Sequence, residues 1–222
     1  MGDWITLTAS DGHSFQAFSA PHHGPYKGGL VLIQEIFGVT SHIQSLCHEF
    51  AELGYDVLAP CIFDRLKPNA VFGYEGDELQ QAVDFAGRSG VETPMLDIQA
   101  CVDLLKQDGP VSITGFCYGG SLTWMAAARV EGLASAVGYY GRLIPEHLDE
   151  QPRCPVVLHF GERDASIPLE NVEKIRSSHP EVDIHIFDAE HGFCSDRPAN
   201  YSTDAKASAL ALTLAHFDAH MS

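Results

Sequence analysis

Segment 111–129 constrains the fold of this chain more than any other, because it predicts a strand that turns directly into a helix. Val111–Thr114 is a short run rich in β-branched residues, which is typical of a buried strand. Ser121–Arg129 is rich in Leu, Met and Ala, which favour a helix. The turn between them, Gly-Phe-Cys-Tyr-Gly at 115–119, has the form of a nucleophile elbow, with Cys117 in the place that serine usually holds.

The small residues around Cys117 follow from the geometry of such a turn. Strand and helix approach each other closely there, so side chains at Gly115, Gly119 or Gly120 would clash. The turn also exposes the Cys117 thiol and directs a helix N-terminus at it, which favours the thiolate. Taken alone, the segment fits a buried structural cysteine equally well, since free cysteine is among the most buried residue types. The rest of the chain has to distinguish these two interpretations.

The hydrophobic pattern alternates strands and helices along the whole chain. Strands around one core that alternate with helices predict an α/β fold, with a mostly parallel central sheet and helices on both faces. No repeat or linker interrupts residues 1–222, so we expect a single domain. The predicted strands are 4–9, 14–20, 29–33, 55–59, 111–114, 134–140, 155–160 and 182–187, and the predicted helices are 41–53, 78–88, 93–106, 121–129, 169–177 and 203–220.

Local signals give some boundaries and one irregular segment. Thr40 or Ser41 is the expected N-cap of the first helix. Helix 93–106 is expected to begin with Thr93 as N-cap and Pro94 at its first position. Segment 60–76 lacks a regular pattern and is the expected lid or rim of a binding site.

Charge and cysteine content argue against several function classes. The formal net charge of −17 disfavours nucleic acid and anionic membrane surfaces as partners. No signal peptide, membrane span or disulfide framework is recognisable, so we expect a cytoplasmic protein with reduced thiols. No metal-ligand spacing occurs beyond the pair His22-His23, so no metal and no cofactor is expected. The expected partner is a small-molecule substrate, and the expected assembly is a monomer or small homo-oligomer.

Four polar residues follow predicted strands, where ligands bind in open α/β sheets. Cys117, Asp164 and His191 come in the order nucleophile, acid, histidine, which is the order of α/β-hydrolases, and Glu35 follows an earlier strand. Each has a structural explanation on its own. Asp164 could cap a turn, with Glu162 as a competing acid, His191 could be a solvated loop histidine, and Glu35 could be a paired rim carboxylate. Their joint occurrence predicts a catalytic site.

These residues resemble those of the dienelactone hydrolase (carboxymethylenebutenolidase) family, within the α/β-hydrolase superfamily. The resemblance covers nearly the whole chain. It is most specific at Gln-Glu-Ile-Phe-Gly (34–38), at Gly-Phe-Cys-Tyr-Gly-Gly (115–120) and around Asp164 and His191. The Glu-Ile-Phe-Gly segment together with a cysteine elbow distinguishes this family from serine esterases. The resemblance implies an α/β-hydrolase fold and cofactor-free hydrolysis of lactones or small carboxylic esters.

The resemblance also implies a role for each site residue. Cys117, His191 and Asp164 would form a catalytic triad, and the backbone N–H groups of Ile36 and Tyr118 would form the oxyanion hole. Glu35 would contact the resting thiol and move aside when substrate binds. These roles agree with elementary chemistry, because an ordinary thiol, with a pKa of about 8.5, needs a base at neutral pH. A carboxylate beside the thiol would in turn oppose thiolate formation.

The chain departs from the family at the arginines that bind the substrate's carboxylate. One is expected shortly after the catalytic histidine, but Cys194-Ser195 stand there and the nearest arginine is Arg197. The helix that begins at Glu78 lacks the second arginine. Possible substrate-binding side chains are therefore Arg65, Arg88, Arg197, Phe37 and Phe193.

Two other kinds of function stay open on the sequence. One is a broader carboxylesterase or thioesterase. The other is a non-catalytic relative that binds a ligand or senses oxidants through Cys117. An intact Asp164 and His191 argue against a pure sensor, because a sensor thiol needs no oriented base.

Overall fold

The computed structural model describes residues 2–197 and 199–221, and in them eight strands form one sheet. The order of the strands in the sheet is β1-β2-β4-β3-β5-β6-β7-β8. The strands are β1 (Asp3–Thr8), β2 (Ser14–Ala20), β3 (Gly28–Ile33), β4 (Tyr55–Pro60), β5 (Val111–Phe116), β6 (Leu133–Tyr139), β7 (Val156–Gly161) and β8 (Asp183–Phe187).

Six α-helices and two short 3-10 turns connect the strands in the described residues. None of the helices there is both long enough and apolar enough to cross a bilayer. The helices are α1 (Ser41–Glu52), α2 (Gly76–Ser89), α3 (Glu92–Leu105), α4 (Tyr118–Arg129), α5 (Leu169–Ser178) and α6 (Thr203–His220), and the 3-10 turns are Ile62–Arg65 and Ile144–Glu146.

The sheet is mostly parallel, as predicted. The strands from β4 through β3, β5, β6 and β7 to β8 pair in parallel, whereas β1 pairs with β2 and β2 with β4 in antiparallel fashion. Every residue of β3, β5 and β7 is buried, because helices cover both faces of the parallel part. The carboxyl ends of β3, β5, β6, β7 and β8 consequently lie along one edge of the sheet.

The strand bounds agree with the prediction to within one residue, except at β5. That strand continues to Phe116, and α4 begins at Tyr118 and not at the predicted Ser121. Glycine and aromatic residues have low helix propensities, so a prediction from propensity alone starts α4 too late in the sequence. Tertiary packing overrides this preference, since the first ten residues of α4 are all buried.

Two local expectations were wrong. Thr93 does not cap α3, which begins at Glu92 after Val91 without a side-chain cap; the Thr93 hydroxyl instead donates to the Ser89 carbonyl. Segment 60–76 is not irregular throughout, because it contains the 3-10 turn Ile62–Arg65. The buried Asp64 carboxylate orders this segment by accepting hydrogen bonds from the N–H groups of Gln16 and Asn69.

Candidate active site

Cys117 occupies a strained position between β5 and α4. It precedes the first residue of α4 and has φ 57° and ψ −114°, in a region that residues with a side chain seldom adopt. Its N–H donates to the Tyr139 carbonyl at 3.0 Å, which ties the turn to β6. Since α4 starts immediately after it, the thiol lies at the positive end of a helix dipole.

The glycines around the elbow are required by close backbone approach, which confirms the expectation from the sequence. A Cβ atom on Gly115 would lie 2.2 Å from the Gly119 carbonyl oxygen, and one on Gly120 would lie 2.2 Å from the Tyr139 carbonyl oxygen. A Cβ on Gly119 would lie 2.5 Å from the carbonyl oxygen of Gln34. Cβ atoms in proteins essentially never approach backbone atoms this closely, so no side chain fits at these three positions.

The structure brings Cys117, His191 and Asp164 into one line of contacts. His191 Nε2 lies 3.2 Å from Cys117 Sγ, and His191 Nδ1 lies 2.6 Å from Asp164 Oδ2. Asp164 follows β7 and His191 follows the neighbouring β8, so the sheet itself sets the distance between them. Asp164 is buried, which protects its bond with the imidazole from competing water.

The electrostatic interactions among Cys117, His191 and Asp164 favour a charged imidazole beside the thiol. Burial opposes a charge on His191, but its hydrogen bonds with Asp164 and Cys117 outweigh burial and raise its pKa to about 10. Burial likewise opposes a charge on Asp164, yet hydrogen bonds with His191 and Ser166 hold its pKa below the usual value. An imidazolium next to Sγ is the partner that a thiolate needs.

Glu35 lies at the end of β3 and is only 2% exposed. Burial raises its pKa to about 7, although the positive charges of Arg197 and His191 act in the opposite direction. Its Oε1 atom has no hydrogen-bond partner in the part of the chain that the structure describes. The thiol contacts His191, and no hydrogen bond joins Cys117 to Glu35 among the described residues. The resting contact between Glu35 and the thiol that the resemblance implies stays a prediction.

A cavity of about 520 Å³ opens over the thiol, a size typical of small-molecule sites. Both predicted oxyanion-hole residues, Ile36 and Tyr118, line it. Tyr118 is the first residue of α4, so its N–H has no acceptor within the helix and is free to bind an anion. The cavity is otherwise bounded mostly by apolar and small groups, and its lining comprises Ile36, Val83, Ala86, Gly87, Cys117, Tyr118, Ser121, Arg142, Leu143, Ser166 and His191.

Residues 15–221 match the model of the "Dienelactone hydrolase family". The chain belongs to the dienelactone hydrolase family. As a member of this family it is a hydrolase that acts on carboxylic ester bonds. Among the residues described, no group of three or more His, Cys, Asp or Glu side chains is placed to hold a metal ion.

Individual relatives agree with the family assignment. The chain is 32% identical to the "putative carboxymethylenebutenolidase" of Salmonella typhimurium, over 91% of this chain and 82% of the relative. It is 26% identical to the carboxymethylenebutenolidase of Pseudomonas putida, over 91% of this chain and 90% of that one. The crystal structure of a "putative dienelactone hydrolase" from Klebsiella pneumoniae is 26% identical and superimposes with a TM-score of 0.83, covering 97% of this chain and 98% of that chain. This dienelactone hydrolase family member therefore has the α/β-hydrolase fold.

The five weaker substrate-binding candidates do not line the cavity. Arg65 is bound to Asp11 and to the buried Asp97, which leaves its guanidinium no freedom to bind substrate. Arg88 pairs with Asp84 on the exposed side of α2. The other three pack elsewhere: Phe193 is fully buried in the core, and Arg197 lies over the rings of Phe37 and Tyr74.

Three residues of the site were missed in the sequence. Ser166 Oγ lies 2.6 Å from Asp164 Oδ1 and 3.2 Å from His191 Nδ1. Arg142, just after β6, is an arginine in the cavity wall. Tyr140, with φ 39°, places its ring 5.1 Å from the His191 ring. Arg142 follows β6 much as Cys117 follows β5, so the strand-end rule applied to every parallel strand would have found it. Tyr140 was predicted as the last residue of that strand, whereas β6 ends at Tyr139.

Proposed function

We propose that this family member hydrolyses lactones or small carboxylic esters through a covalent thioester on Cys117. One observation carries the proposal: the thiol, the imidazole and a buried carboxylate form a continuous contact line, with 3.2 Å and 2.6 Å between their atoms, at the floor of a cavity. Nucleophile, base and orienting acid need this mutual geometry.

In the first half of the reaction, His191 Nε2 takes the Cys117 proton and Sγ attacks the carbonyl carbon. The negative charge that develops on the carbonyl oxygen is stabilised by the N–H groups of Ile36 and Tyr118. The C–O bond to the leaving group then breaks, and the leaving oxygen takes the proton back from His191. In a lactone the two products stay joined, so the acyl-enzyme carries a free hydroxyl.

In the second half, water attacks the thioester carbonyl while His191 Nε2 removes one of its protons. The tetrahedral intermediate collapses, the C–S bond breaks, and the carboxylic acid leaves with the thiolate restored beside the imidazolium. Asp164 keeps His191 in one tautomer during both halves, because its Oδ2 holds Nδ1 at 2.6 Å.

Glu35 is proposed to act as a negative charge on the thiol site, since it lies close enough to His191 for their charges to interact. A buried carboxyl with a pKa of about 7 is partly ionised at neutral pH, and its ionised form opposes the thiolate through like-charge repulsion. Its charge is in turn attracted by Arg197. Substrate binding that shifts the carboxylate away from Sγ would relieve the repulsion when the nucleophile is needed.

For substrate binding we propose Arg142 in place of the arginines suggested from the sequence. It lines the cavity, and within the described chain no hydrogen bond or ion pair engages its guanidinium. It is also the only Lys or Arg among the described residues that line this cavity. In a chain with a net charge of −17, an arginine in the cavity wall that makes no ion pair within the described residues suits a substrate with an anionic group.

Substitution of the nucleophile tests the proposal. Cys117→Ala is expected to abolish hydrolysis of p-nitrophenyl esters and of a small lactone, while the circular dichroism spectrum stays that of the wild type. Cys194→Ala serves as the matched cysteine control and should stay active, since Cys194 is buried and is not among the residues that line the cavity. A wild-type protein that alkylates with iodoacetamide but hydrolyses no ester or lactone would favour the thiol-sensing alternative.

A further inference from the structure

Ser166 is hydrogen-bonded to the Asp164 carboxylate, and the Cys117–His191–Asp164 triad does not explain why. Its hydroxyl and its backbone N–H both contact Asp164 Oδ1, at 2.6 Å and 2.8 Å, while Asp164 Oδ2 faces His191. The N–H of Ile167 also points at Oδ1, at 3.2 Å. Ser166 is thus the one side chain besides His191 that bonds to this carboxylate among the described residues.

We propose that Ser166 is a positioning residue that limits the proton affinity of His191 by donating its hydroxyl to Asp164. This inference rests on the proposed function, because it concerns the step in which His191 acts as a base. The role would be to let one histidine stabilise a thiolate in the free enzyme and still lose its proton in the acyl-enzyme.

The two half-reactions make opposite demands on His191. Attack on substrate is favoured by a stable imidazolium, since the charged ring supports the thiolate. Hydrolysis of the thioester requires the neutral ring, because only the neutral ring can take a proton from water. If the Asp164 carboxylate, 2.6 Å from His191 Nδ1, directed all its charge at that atom, His191 would stay protonated in both the free enzyme and the acyl-enzyme. A hydroxyl donor on the other carboxylate oxygen draws part of that charge away.

The distances decide the direction of the effect. The hydroxyl has a single proton, and its contact with Asp164 Oδ1, at 2.6 Å, is much shorter than its contact with His191 Nδ1, at 3.2 Å. The proton therefore lies toward Asp164. His191 Nδ1 already makes a hydrogen bond with Asp164 Oδ2 at 2.6 Å, which is shorter than its 3.2 Å distance to Ser166 Oγ. Ser166 therefore acts on the histidine chiefly through the carboxylate.

Other charged or titratable groups around His191 come from different elements and would be unchanged by a substitution at 166. Cys117 contacts the ring from the start of α4, Glu35 approaches from the end of β3, and the Tyr140 ring packs on it from the end of β6. Beyond Ser166 lies a second depression of about 370 Å³, bordered by Arg163, Asp164, Ala165, Ser166, Glu190, His191 and Asn200. Ser166 borders both openings, so its hydroxyl stands between the buried Asp164 and solvent.

The test compares Ser166→Ala and Ser166→Gly, which lack the hydroxyl, with Ser166→Thr, which keeps it. Stopped-flow hydrolysis of p-nitrophenyl acetate gives acylation and deacylation rates separately, and iodoacetamide gives the thiolate fraction, each as a function of pH. In the variants without the hydroxyl, the acidic limb of the plot of deacylation rate against pH should move to higher pH by about one unit. On that limb, the deacylation rate at a given pH should fall roughly tenfold. The midpoint of the plot of alkylation rate against pH should move in the opposite direction, to lower pH. In Ser166→Thr, both pH profiles should return to those of the wild type.

Opposite shifts of the two curves distinguish this role from a merely structural one. If removal of the hydroxyl only let Asp164 drift away, His191 would become less basic, and deacylation would shift to lower pH while alkylation shifted to higher pH. That result, or curves that superimpose on the wild type, would overturn the inference. If the wild type shows no hydrolysis that depends on Cys117, the proposed function fails, whereas the alkylation curves still test Ser166.

Discussion

The two walls of the active-site cavity differ in how firmly they are held. The sheet-side wall consists of Ile36, Cys117, Tyr118 and His191, at the ends of β3, β5 and β8. The outer wall consists of Val83, Ala86 and Gly87 of α2, together with Arg142 and Leu143. In α4, behind the sheet-side wall, residues 118–127 are all buried, but in the 14-residue α2 only Ala82 and Ser89 are.

The difference suggests that chemistry and substrate choice are separated in this fold. Bond-making groups need fixed positions, and the sheet-side wall supplies them through dense packing. Helix α2 begins at Gly76 and is followed by Gly90, and both glycines have positive φ. The Tyr118 hydroxyl donates a hydrogen bond to the Gly90 carbonyl at the end of the helix. A lightly packed wall of this kind can change its side chains at little cost in stability, and so it is suited to define which substrate fits.

The largest difference is expected when the same methyl group is added to α4, behind the sheet-side wall, and to α2 in the outer wall. Gly120→Ala on the sheet side would place Cβ 2.2 Å from the Tyr139 carbonyl oxygen, so it should destabilise the protein by about 3 kcal/mol or more and abolish activity. Gly87→Ala in α2 meets no atom within 4 Å and should stabilise the protein by about 0.5–1 kcal/mol through helix propensity.

Urea unfolding and p-nitrophenyl acetate hydrolysis measure both effects. Because the two substitutions are chemically identical, any difference between them comes from the surroundings. Similar free energies of unfolding for the two variants would contradict the proposed contrast between a rigid and a tolerant wall.

How far the site could be predicted from the sequence follows the same division. Cys117, Asp164 and His191 could be predicted because strand ends, glycines and chain order leave clear patterns, and the parallel sheet followed from buried apolar runs such as β3. The α2 side of the outer wall leaves no such pattern. Arg65 looked as suitable as any cation, but its engagement with Asp97 depends on a contact between residues far apart in the chain. Side-chain pairing of this kind is decided by tertiary packing.

On the sheet side, Glu35→Gln is expected to raise stability, because ionisation of the buried Glu35 carboxyl destabilises the folded protein. Its pKa is raised from 4.5 to about 7 in the folded protein, so the unfolded chain loses this proton first and stability falls as pH rises between those values. Glutamine has no proton to lose. The variant should therefore exceed the wild type in free energy of unfolding by up to about 3 kcal/mol at about pH 8, and by almost nothing at about pH 4.

The same variant should lose activity while it gains stability. Removal of the negative charge should speed iodoacetamide alkylation of Cys117 at neutral pH, and turnover should drop because substrate no longer switches the nucleophile on. Urea denaturation at several pH values, together with alkylation and ester assays, checks both statements. Glu35→Gln and wild-type curves that stay parallel at every pH would mean that the pKa of this carboxyl is the same in the folded and the unfolded chain, which would contradict a raised pKa in the folded site.

The smallest effect is expected on the outer wall, from Arg142→Gln. We expect KM for an anionic ester, p-nitrophenyl hemisuccinate, to rise about two- to fivefold, which is what an exposed ion pair worth up to about 1 kcal/mol provides. The value of kcat should be nearly unchanged, because the contact is made equally in the ground state and the transition state. KM for the neutral p-nitrophenyl butyrate, which is similar in length, should not change.

Arg88→Gln is the matched control, since Arg88 carries the same charge on α2 but pairs with Asp84 outside the cavity. Added salt should reduce the wild-type preference for the anionic ester, because screening weakens contacts between exposed charges. It should have little influence on the preference of Arg142→Gln. If Arg142→Gln and Arg88→Gln reduced the preference equally, the effect would come from the net charge of the protein and not from a binding contact. If only Arg88→Gln reduced it, α2 would move far enough to bring Arg88 to the substrate, and Arg142 would not be the residue that binds the anion.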